Sequence, residues 1–285
     1  MTPPLMLEDV GPGTVAVATT DGVPLFHYVF APQTPTNESP RPYIHPLHAP
    51  TGEVLTNFRP NDHPWHHALS LTITRVGDVN FWGGPSHRAA DGYAWREDQG
   101  VQVHRHWDRR EPGYLQHAVD WCNPRTGESL LHERRTLEIA RPADTSWSLR
   151  WHSELLNVAG HELVLGNYHA SSGLAGSHYT GLQFRGTRDL LDEHGDPTVG
   201  VRSSEGAETI AGIHGEPADW IEWDTQHDST LRRTRIRFES LHGEIPWFVR
   251  RDYPMAAFTF HKDEVRRLPA GHPLELDHRL TFTRL

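Results

Sequence analysis

Apolar and polar residues alternate along most of this chain, and a period of two is the pattern of a β-strand with one buried face. The clearest case is PLELDHRLTFTRL, near the end of the chain, where every second residue faces one side. The segments ALSLTITRV, SWSLRWHSELLNV and LRRTRIRFES show the same alternation. By this count the inward positions are Leu69, Leu71, Ile73, Trp147, Leu149, Trp151, Leu155, Ile236, Phe238, Leu274, Leu276, His278, Leu280 and Phe282. We therefore expect half-buried antiparallel strands that share a core.

Turns separate these strands, and no long stretch keeps the apolar stripe of a helix. The chain has 22 prolines and 24 glycines. Asp21-Gly22 predicts one hairpin turn, and the segment CNPRTGES predicts another. These signals predict an all-β protein, a large antiparallel β-sandwich, with residues 1–285 in a single domain. Residues 1–40 would form an N-terminal hairpin and a proline-rich excursion (APQTPTNESPRP), and residues 41–285 the main body.

Composition and charge restrict the partners. The formal net charge of −10 disfavours nucleic acid and anionic membranes, because both are polyanions. The first residues lack the basic and apolar regions of a signal peptide, and no apolar run is long enough to span a bilayer. Cys122 is the single cysteine, which excludes an intrachain disulfide. We expect a soluble, cytoplasmic protein that binds neither nucleic acid nor membrane, and no feature predicts an oligomeric state.

The segment RPNDHPWHHAL, residues 59–69, concentrates titratable side chains in front of a predicted strand. Its two prolines predict a stiff, extended segment outside the sheet. Counting back by two from the first inward residue of the strand turns His67 inward and His66 the other way. We interpret Asp62, His63 and these two histidines as the polar rim of a cavity, with Asp62 orienting an imidazole. The alternative is a solvated loop in which Asp62 makes a turn.

Several segments together resemble a known family. They are RPYIHPLHAPTGEVLTNFRPNDHPWHHALSL, VNFWGGPS, GESLLHERRTLEI, GLQFRGTRDL and PWFVRRDYPMAAF. The D-H-P-x-H-H core followed by F-W-G-G is the most specific part. From about residue 41 almost to its end, the chain resembles the DUF6807 family, also labelled methane oxygenase PmoA-like, and its actinobacterial members in particular. The chain departs from that family at Ala68, where glycine is commoner, and at residues 171–181, which carry fewer glycines.

The resemblance implies a β-rich fold like the galactose mutarotase supersandwich, while the family itself has no defined activity. Proteins of that fold commonly handle sugars, as epimerases, lyases, hydrolases or binding modules, although this is an analogy at the level of the fold. The oxygenase label disagrees with the sequence, because a membrane oxygenase subunit needs apolar spans that this chain lacks.

The residues themselves also favour a small carbohydrate-like ligand. Aromatic residues flank polar clusters, and indole faces stack on the C–H surface of a pyranose while Arg, His and Asp bind its hydroxyls. A small-residue stretch, GNYHASSGLAGSHYTGLQFRG, allows close approach to a ligand. The predicted substrate-binding residues are His45, Arg59, Trp65, His66, Trp82, His169, His178, Arg185, Trp247 and Arg251. The alternative is that the tryptophans are core residues and the histidines are solvated.

Glu133 is the carboxylate that the alternation places on an apolar face. It shares parity with Leu131, Leu137 and Ile139, and Arg135 follows on the same face. An unpaired charge there is costly. Two interpretations stay open: a Glu–Arg pair buried in the sandwich, or a general base whose pKa is tuned by a cavity.

No cofactor is predicted, although a divalent metal is possible. His63, His66 and His67, with Asp62 or the distant His45, supply the ligand types that zinc, iron or copper prefer. Neighbouring residues of a strand point in opposite directions, which argues against His66 and His67 binding one ion.

The leading hypothesis is a carbohydrate-active enzyme, a hydrolase, lyase or epimerase that transfers protons to and from a sugar or a sugar derivative. His63 or His67 would act as acid or base, Asp62 would orient it, and Glu133 would be the partner carboxylate. Arg59, Arg185 or Arg251 would clamp hydroxyls or a carboxylate. Two alternatives are a metal-dependent hydrolase or oxygenase at the same loop and a sugar-binding sandwich without catalysis.

Overall fold

The computed structural model describes residues 4–192, 194–195, 199–250 and 253–285. The first strands are β1 (Leu5–Gly11), β2 (Thr14–Thr19), β3 (Pro24–Val29), β4 (Tyr43–Leu47), β5 (Leu69–Thr72), β6 (Arg75–Val76), β7 (Ser86–Arg88), β8 (Gly92–Ala94), β9 (Val101–Glu111), β10 (Tyr114–Asn123), β11 (Glu128–Ala143) and β12 (Ser146–Asn157). The remaining strands are β13 (Leu163–Gly166), β14 (Gly181–Arg185), β15 (Val199–Ser203), β16 (Pro217–Ala218), β17 (Trp220–Gln226), β18 (Arg233–Ser240), β19 (Ile245–Pro246), β20 (Phe248–Arg250), β21 (Met255–Phe258), β22 (Arg266–Leu268) and β23 (Pro273–Arg284). The helices are short: α1 (Tyr168–Ser172), α2 (Ile210–Ile213), and two 3₁₀ turns, Thr36–Glu38 and Arg188–Leu190.

Within the described residues, two eight-stranded sheets form the body. The first has the order β1-β2-β3-β4-β5-β14-β21-β20, and the second has the order β15-β17-β18-β23-β12-β11-β10-β9. The pairs within both sheets are antiparallel, as in the long ladders between β11 and β12 and between β12 and β23. The predicted all-β fold class, a large antiparallel β-sandwich, is confirmed. No helix in the described part of the chain has the length and apolar character needed to cross a membrane.

The core lies between the inner faces of the two sheets. Aromatic rings meet across it: Tyr28 of the first sheet lies with its ring centroid 6.3 Å from that of Trp151 in the second. Phe184 and Trp223 make a similar contact at 5.9 Å. The inward positions predicted by alternation are all buried in this core or beside it. Burying each large apolar side chain stabilises the fold by roughly 1.5–3 kcal/mol. The period of two in the sequence therefore reflects which face of each strand packs into the core.

Both predicted hairpins form. β2 pairs with β3 across a turn that contains Gly22, and β10 pairs with β11 across the CNPRTGES turn. The proline-rich stretch is exposed at Gln33 and over residues 35–37 and is more deeply buried after them. Its Glu38, Ser39 and Arg41 are buried, since this stretch covers the side of the first sheet that faces away from the core.

The outer face of the first sheet is buried as well, and this is what creates a site. On β5, Ser70 and Thr72 are as buried as the core residues between which they lie. On β21 and β20, Met255, Ala257 and Phe248 form a second apolar cluster with Trp82. Loops therefore roof the outer face, and a cavity remains beneath them.

Candidate functional site

A cavity of about 330 Å³ lies on the outer face of the first sheet, above β20 and β21. Its described lining residues are His63, Trp65, His66, Trp82, Gly83, Pro85, Tyr93, Ser177, Tyr179, Phe248, Arg250, Tyr253 and Met255. This volume is within the range of about 300–1,000 Å³ that small-molecule sites occupy. A more open groove of about 750 Å³ lies next to it, on the other side of the β7–β8 hairpin, and none of the residues predicted from the sequence lines it.

Aromatic side chains make up most of the cavity wall. Trp82 and Tyr179 pack with ring centroids 4.6 Å apart, and the hydroxyl oxygens of Tyr93 and Tyr179 are 2.8 Å apart, within hydrogen-bond distance. Trp65 stands opposite, close to the glycine pair that follows Trp82. The wall is therefore amphipathic: it offers flat apolar faces together with phenol hydroxyls.

The loop that carries the histidines is folded, so the prediction of an extended segment is wrong. The His63 amide donates to the Pro60 carbonyl at 3.0 Å, and the His66 amide donates to the His63 carbonyl at 2.9 Å. The Arg59 amide closes the loop by donating to the His66 carbonyl at 3.0 Å. Two successive turns thus bring His63 and His66 to the same cavity, with their rings stacked at a centroid distance of 4.7 Å.

Asp62 links this loop to β14. Nδ1 of His63 donates to Oδ2 of Asp62 at 3.0 Å, and Nη2 of Arg185 donates to the same oxygen at 2.9 Å. Burial would raise the pKa of Asp62, but the hydrogen bonds from His63 and Arg185 outweigh it and lower the pKa to about 2. Because an ionised carboxylate only accepts hydrogen bonds, the proton in the first pair lies on Nδ1 of His63. Nε2 of His63 is then the nitrogen able to accept a proton.

His66 is held neutral. Burial and the charge of Arg185 lower its pKa well below the ordinary value. Nη1 of Arg185 lies 3.4 Å from Nδ1 of His66, and a guanidinium can only donate, so Nδ1 accepts and Nε2 carries the proton. The two stacked imidazoles therefore have opposite tautomers, one with a free acceptor and the other with a free donor.

His67 is buried, as its inward position predicted, but it does not line the cavity. Nε2 of His67 donates to Glu38 at 3.1 Å, and Glu38 also receives a bidentate pair from Arg59. Ala68, between His67 and the first residue of β5, has a φ of 49°, a left-handed conformation that glycine adopts more easily, so counting by two from Leu69 does not extend to His67. Both histidines are buried, His66 at the cavity and His67 against Glu38.

Arg41 ties this second cluster to the cavity wall. Its guanidinium is fully buried and donates to the Trp65 carbonyl at 2.7 Å and to the Glu38 carbonyl at 3.0 Å. Burial lowers the pKa of Arg41 to about 9, although it stays protonated at neutral pH. Arg41, Glu38 and Arg59 therefore hold the histidine loop in place, and none of the three lines the cavity.

The structure does not bring Glu133 to the cavity. It lies between the sheets, where Arg135 donates to both of its oxygens at 2.7 Å. Trp121 donates to it at 2.7 Å and Ser153 at 2.6 Å. All its acceptor sites face donors of the core, which is the geometry of the buried-pair interpretation. The expected partner carboxylate beside the histidines is instead Asp62, with Glu38 behind.

Four other predicted binding residues also lie away from the cavity. His45 bonds to Thr56, and His169 to Asp263. His178 bonds to the Trp247 carbonyl, and Trp247 itself is a core residue whose indole donates to Ala218. Arg251 lies outside the described residues. Of the predicted binding residues, Trp65, Trp82 and His66 line the cavity, and Arg185 supports it from behind.

In the described part of the chain, no group of three or more His, Cys, Asp or Glu side chains is placed to hold a metal ion. The predicted metal ligands do not converge on one point, because Nε2 of His67 is bonded to Glu38 while His66 faces Arg185. The tautomers and partners of these histidines are those of a hydrogen-bonding site.

Several site residues were not predicted from the sequence. Tyr93, Tyr179 and Tyr253 come from three distant loops or strands, and no local motif distinguishes them. Arg250 lies within the PWFVRR segment, which carried a signal, but the prediction fell on its neighbour. Glu38 lies in the proline-rich stretch that was expected to project from the body.

Comparison with known proteins gives a family and a structural similarity. The sequence model of a family described as "Family of unknown function (DUF6807)" matches residues 15–284. No curated protein matches the chain. A galactose mutarotase related enzyme from Lactobacillus acidophilus is similar in structure with a TM-score of 0.41 and 9% identity, over 98% of this chain and 97% of that one.

Proposed function

Because the chain belongs to the DUF6807 family, whose function is unknown, we propose a function from its cavity: binding of a sugar or sugar derivative, with proton transfer at His63. The observation that carries the proposal is the pair formed by Asp62 and His63 at the edge of an aromatic-walled cavity. The pair fixes the tautomer of the His63 imidazole, and the aromatic rings of the cavity wall offer flat surfaces suited to a sugar ring.

Ligand binding would use the aromatic wall and the groups between its rings. Trp65, Trp82 and Tyr179 offer faces on which the C–H surface of a pyranose can stack. The phenol of Tyr253 lies under Arg185, whose guanidinium carbon is 3.6 Å from the ring centroid, so this ring is held rigidly. Neutral His66 would donate a hydrogen bond from Nε2 to a hydroxyl or carbonyl oxygen.

Proton transfer would use Nε2 of His63. Asp62 stays ionised above pH of about 2, so at neutral pH it keeps the His63 proton on Nδ1 and the lone pair on Nε2. In this arrangement His63 accepts a proton from the ligand as general base and can return it as general acid. His66 is unsuited to this role, because its lowered pKa makes it a weak base and its Nε2 already carries a proton. His67 is, in this proposal, a positioning residue acting through Glu38.

Arginines complete the site in two ways. Arg185 donates to Asp62 and Arg59 donates to Glu38. In this proposal both arginines position a carboxylate and neither binds the ligand directly. Arg250 lines the cavity and would bring positive charge to an electron-rich oxygen of the ligand.

The test is a titration of the protein with aldohexoses, aldopentoses and uronic acids, followed by NMR for both binding and turnover. Turnover is scored as interconversion, cleavage, elimination, or exchange of a carbon-bound proton for deuterium. We expect Trp82→Ala to abolish binding and His63→Gln to keep binding while losing turnover. His106→Gln, at an exposed position of β9, is the matched control and should change neither.

Each part of the proposal fails on a different result. Full turnover by His63→Gln would remove this histidine from the chemistry. Binding without turnover of any sugar would leave a binding protein and remove catalysis. Absence of binding to every sugar would overturn the proposal as a whole.

A further inference from the structure

Trp95 is exposed to solvent beside the cavity. It retains 59% of its surface in water, and it is the single exposed tryptophan among the ten, all of which lie in described residues. Leaving an indole in water forgoes the stabilisation that the other nine gain from full or partial burial. Its neighbour Tyr93 is also exposed, at 49%. Two large aromatic residues that are both exposed next to a cavity are typical of a ligand-binding surface.

The ring of Trp95 continues the cavity wall outward. It meets Trp65 edge to face, with centroids 5.7 Å apart and planes at 86°. Trp65 and Tyr93 both line the cavity, and Trp95 follows two positions after Tyr93 at the end of β8. An aromatic surface thus extends without interruption from the inside of the cavity to the exposed edge of the hairpin.

The hairpin that carries Trp95 is anchored on both flanks. Arg96 pairs with Asp91 at 2.6 Å, which braces the turn between β7 and β8. Ser86, at the start of the hairpin, bonds to Asp98 at 3.0 Å and to Asn80 at 2.9 Å. Trp95 is therefore presented at a defined place relative to Trp65, as a subsite requires.

We propose that Trp95 and the exposed face of Tyr93 form an outer subsite for a second sugar unit, so that the ligand is an oligosaccharide or a glycoside. This inference rests on the proposed function. A monosaccharide inside the cavity would leave the outer ring uncovered, whereas a linked second unit would extend from the cavity mouth onto it. Stacking on one exposed aromatic ring strengthens binding about two- to tenfold.

The experiment is a microarray of monosaccharides and their linked di-, tri- and tetrasaccharides, probed with labelled protein, followed by calorimetric titration of each sugar that binds. We expect a disaccharide to bind about two- to tenfold more tightly than its cavity-binding single unit. Trp95→Ala should remove this gain and leave the affinity for the single unit unchanged. Trp95→Phe should keep part of the gain, because a ring remains.

Two controls separate the subsite from the cavity and from general surface effects. Trp82→Ala should weaken single and linked sugars alike. Leu231→Ala removes another exposed apolar side chain and should weaken neither. Light scattering of wild type and Trp95→Ala tests the competing occupant, a second copy of the chain: loss of a wild-type dimer in the variant would overturn the subsite.

The outcomes distinguish this inference from the proposed function. Equal affinities for single and linked sugars, or a Trp95→Ala variant with an undiminished gain, would overturn the outer subsite while leaving the cavity proposal intact. Binding to none of the sugars would overturn both.

Discussion

Arg185 and Asp62 lie 123 positions apart in sequence and are joined by hydrogen bonds of 2.9 and 3.2 Å from one guanidinium nitrogen to both carboxylate oxygens. This contact fastens the histidine loop to the middle of the first sheet. It also fixes the charge of Asp62, and through Asp62 the tautomer of His63. The properties of the site therefore depend on a residue that the ligand need not contact.

The first prediction concerns this contact. Arg185→Met should lower the free energy of unfolding by about 1–3 kcal/mol, because it leaves the half-buried Asp62 carboxylate without its strongest donor. The matched control is Arg188→Met. Arg188 is exposed and reaches the same carboxylate at 3.4 Å, so its loss should cost less than about 0.5 kcal/mol. Urea unfolding at neutral pH measures both, and equal losses would contradict the special role of Arg185.

The second prediction separates the core carboxylate from the site. Glu133→Gln should destabilise the fold by about 3–5 kcal/mol, because it leaves the fully buried charge of Arg135 without its ionic partner. Glu154→Gln, at a partly exposed ion pair with Arg134 on the same sheet, should cost under about 1 kcal/mol. Under conditions where Glu133→Gln is folded, it should bind sugars as wild type does. A folded variant that still binds sugars but has lost turnover would show that Glu133 takes part in catalysis.

The third prediction uses two glycines with the same φ angle. Gly84 and Gly92 both have a φ of 70°, so alanine at either costs on the order of 1 kcal/mol. A Cβ on Gly84 would also overlap the indole ring of Trp65, while one on Gly92 would meet no atom within 4 Å. We expect Gly84→Ala to lose clearly more stability and to weaken sugar binding, as followed by tryptophan fluorescence. Indistinguishable variants would show that the contact with Trp65 is not a tight one.

The fourth prediction is a loss of stability in mild acid. Burial lowers the pKa of His45, of His67 and of His178 to about 4 from the ordinary 6.5. Below pH 6.5 these histidines bind protons in the unfolded chain but stay neutral in the folded protein, so the free energy of unfolding falls as the pH is lowered. Each group contributes about 1.4 kcal/mol per pH unit until its folded pKa is reached.

Urea unfolding at a series of pH values between neutrality and the folded pKa of about 4 measures this slope. His67→Gln removes one of the titrating groups and should reduce the slope by about 1.4 kcal/mol per pH unit, whatever its stability at neutral pH. A wild-type stability independent of pH over that range would contradict the buried neutral state of these histidines.

Much of the framework could be predicted from the sequence. The alternation in β12 and β23 correctly assigned the inward positions, although the outward Asp277 is also buried, and Asp21-Gly22 correctly marked a hairpin. Alternation is a property of the strand backbone, which turns successive side chains to opposite faces wherever the strand lies. A local pattern is therefore enough to assign a residue to a face. It was also enough to select residues 59–69 as a loop of interest, because proline, histidine and aspartate are concentrated there.

Only the tertiary structure decided which of those residues meet. His63 and His66 share a cavity because two successive turns fold the loop, while His67 is bonded to Glu38, which lies 29 positions earlier in the chain. Alternation placed Glu133 on an apolar face but did not distinguish a core pair from a catalytic group, since both require burial. Tyr253 lies beside His63 because β14 is inserted between β5 and β21. The order of strands in a sheet depends on the packing of the whole chain, and no local period in the sequence encodes it.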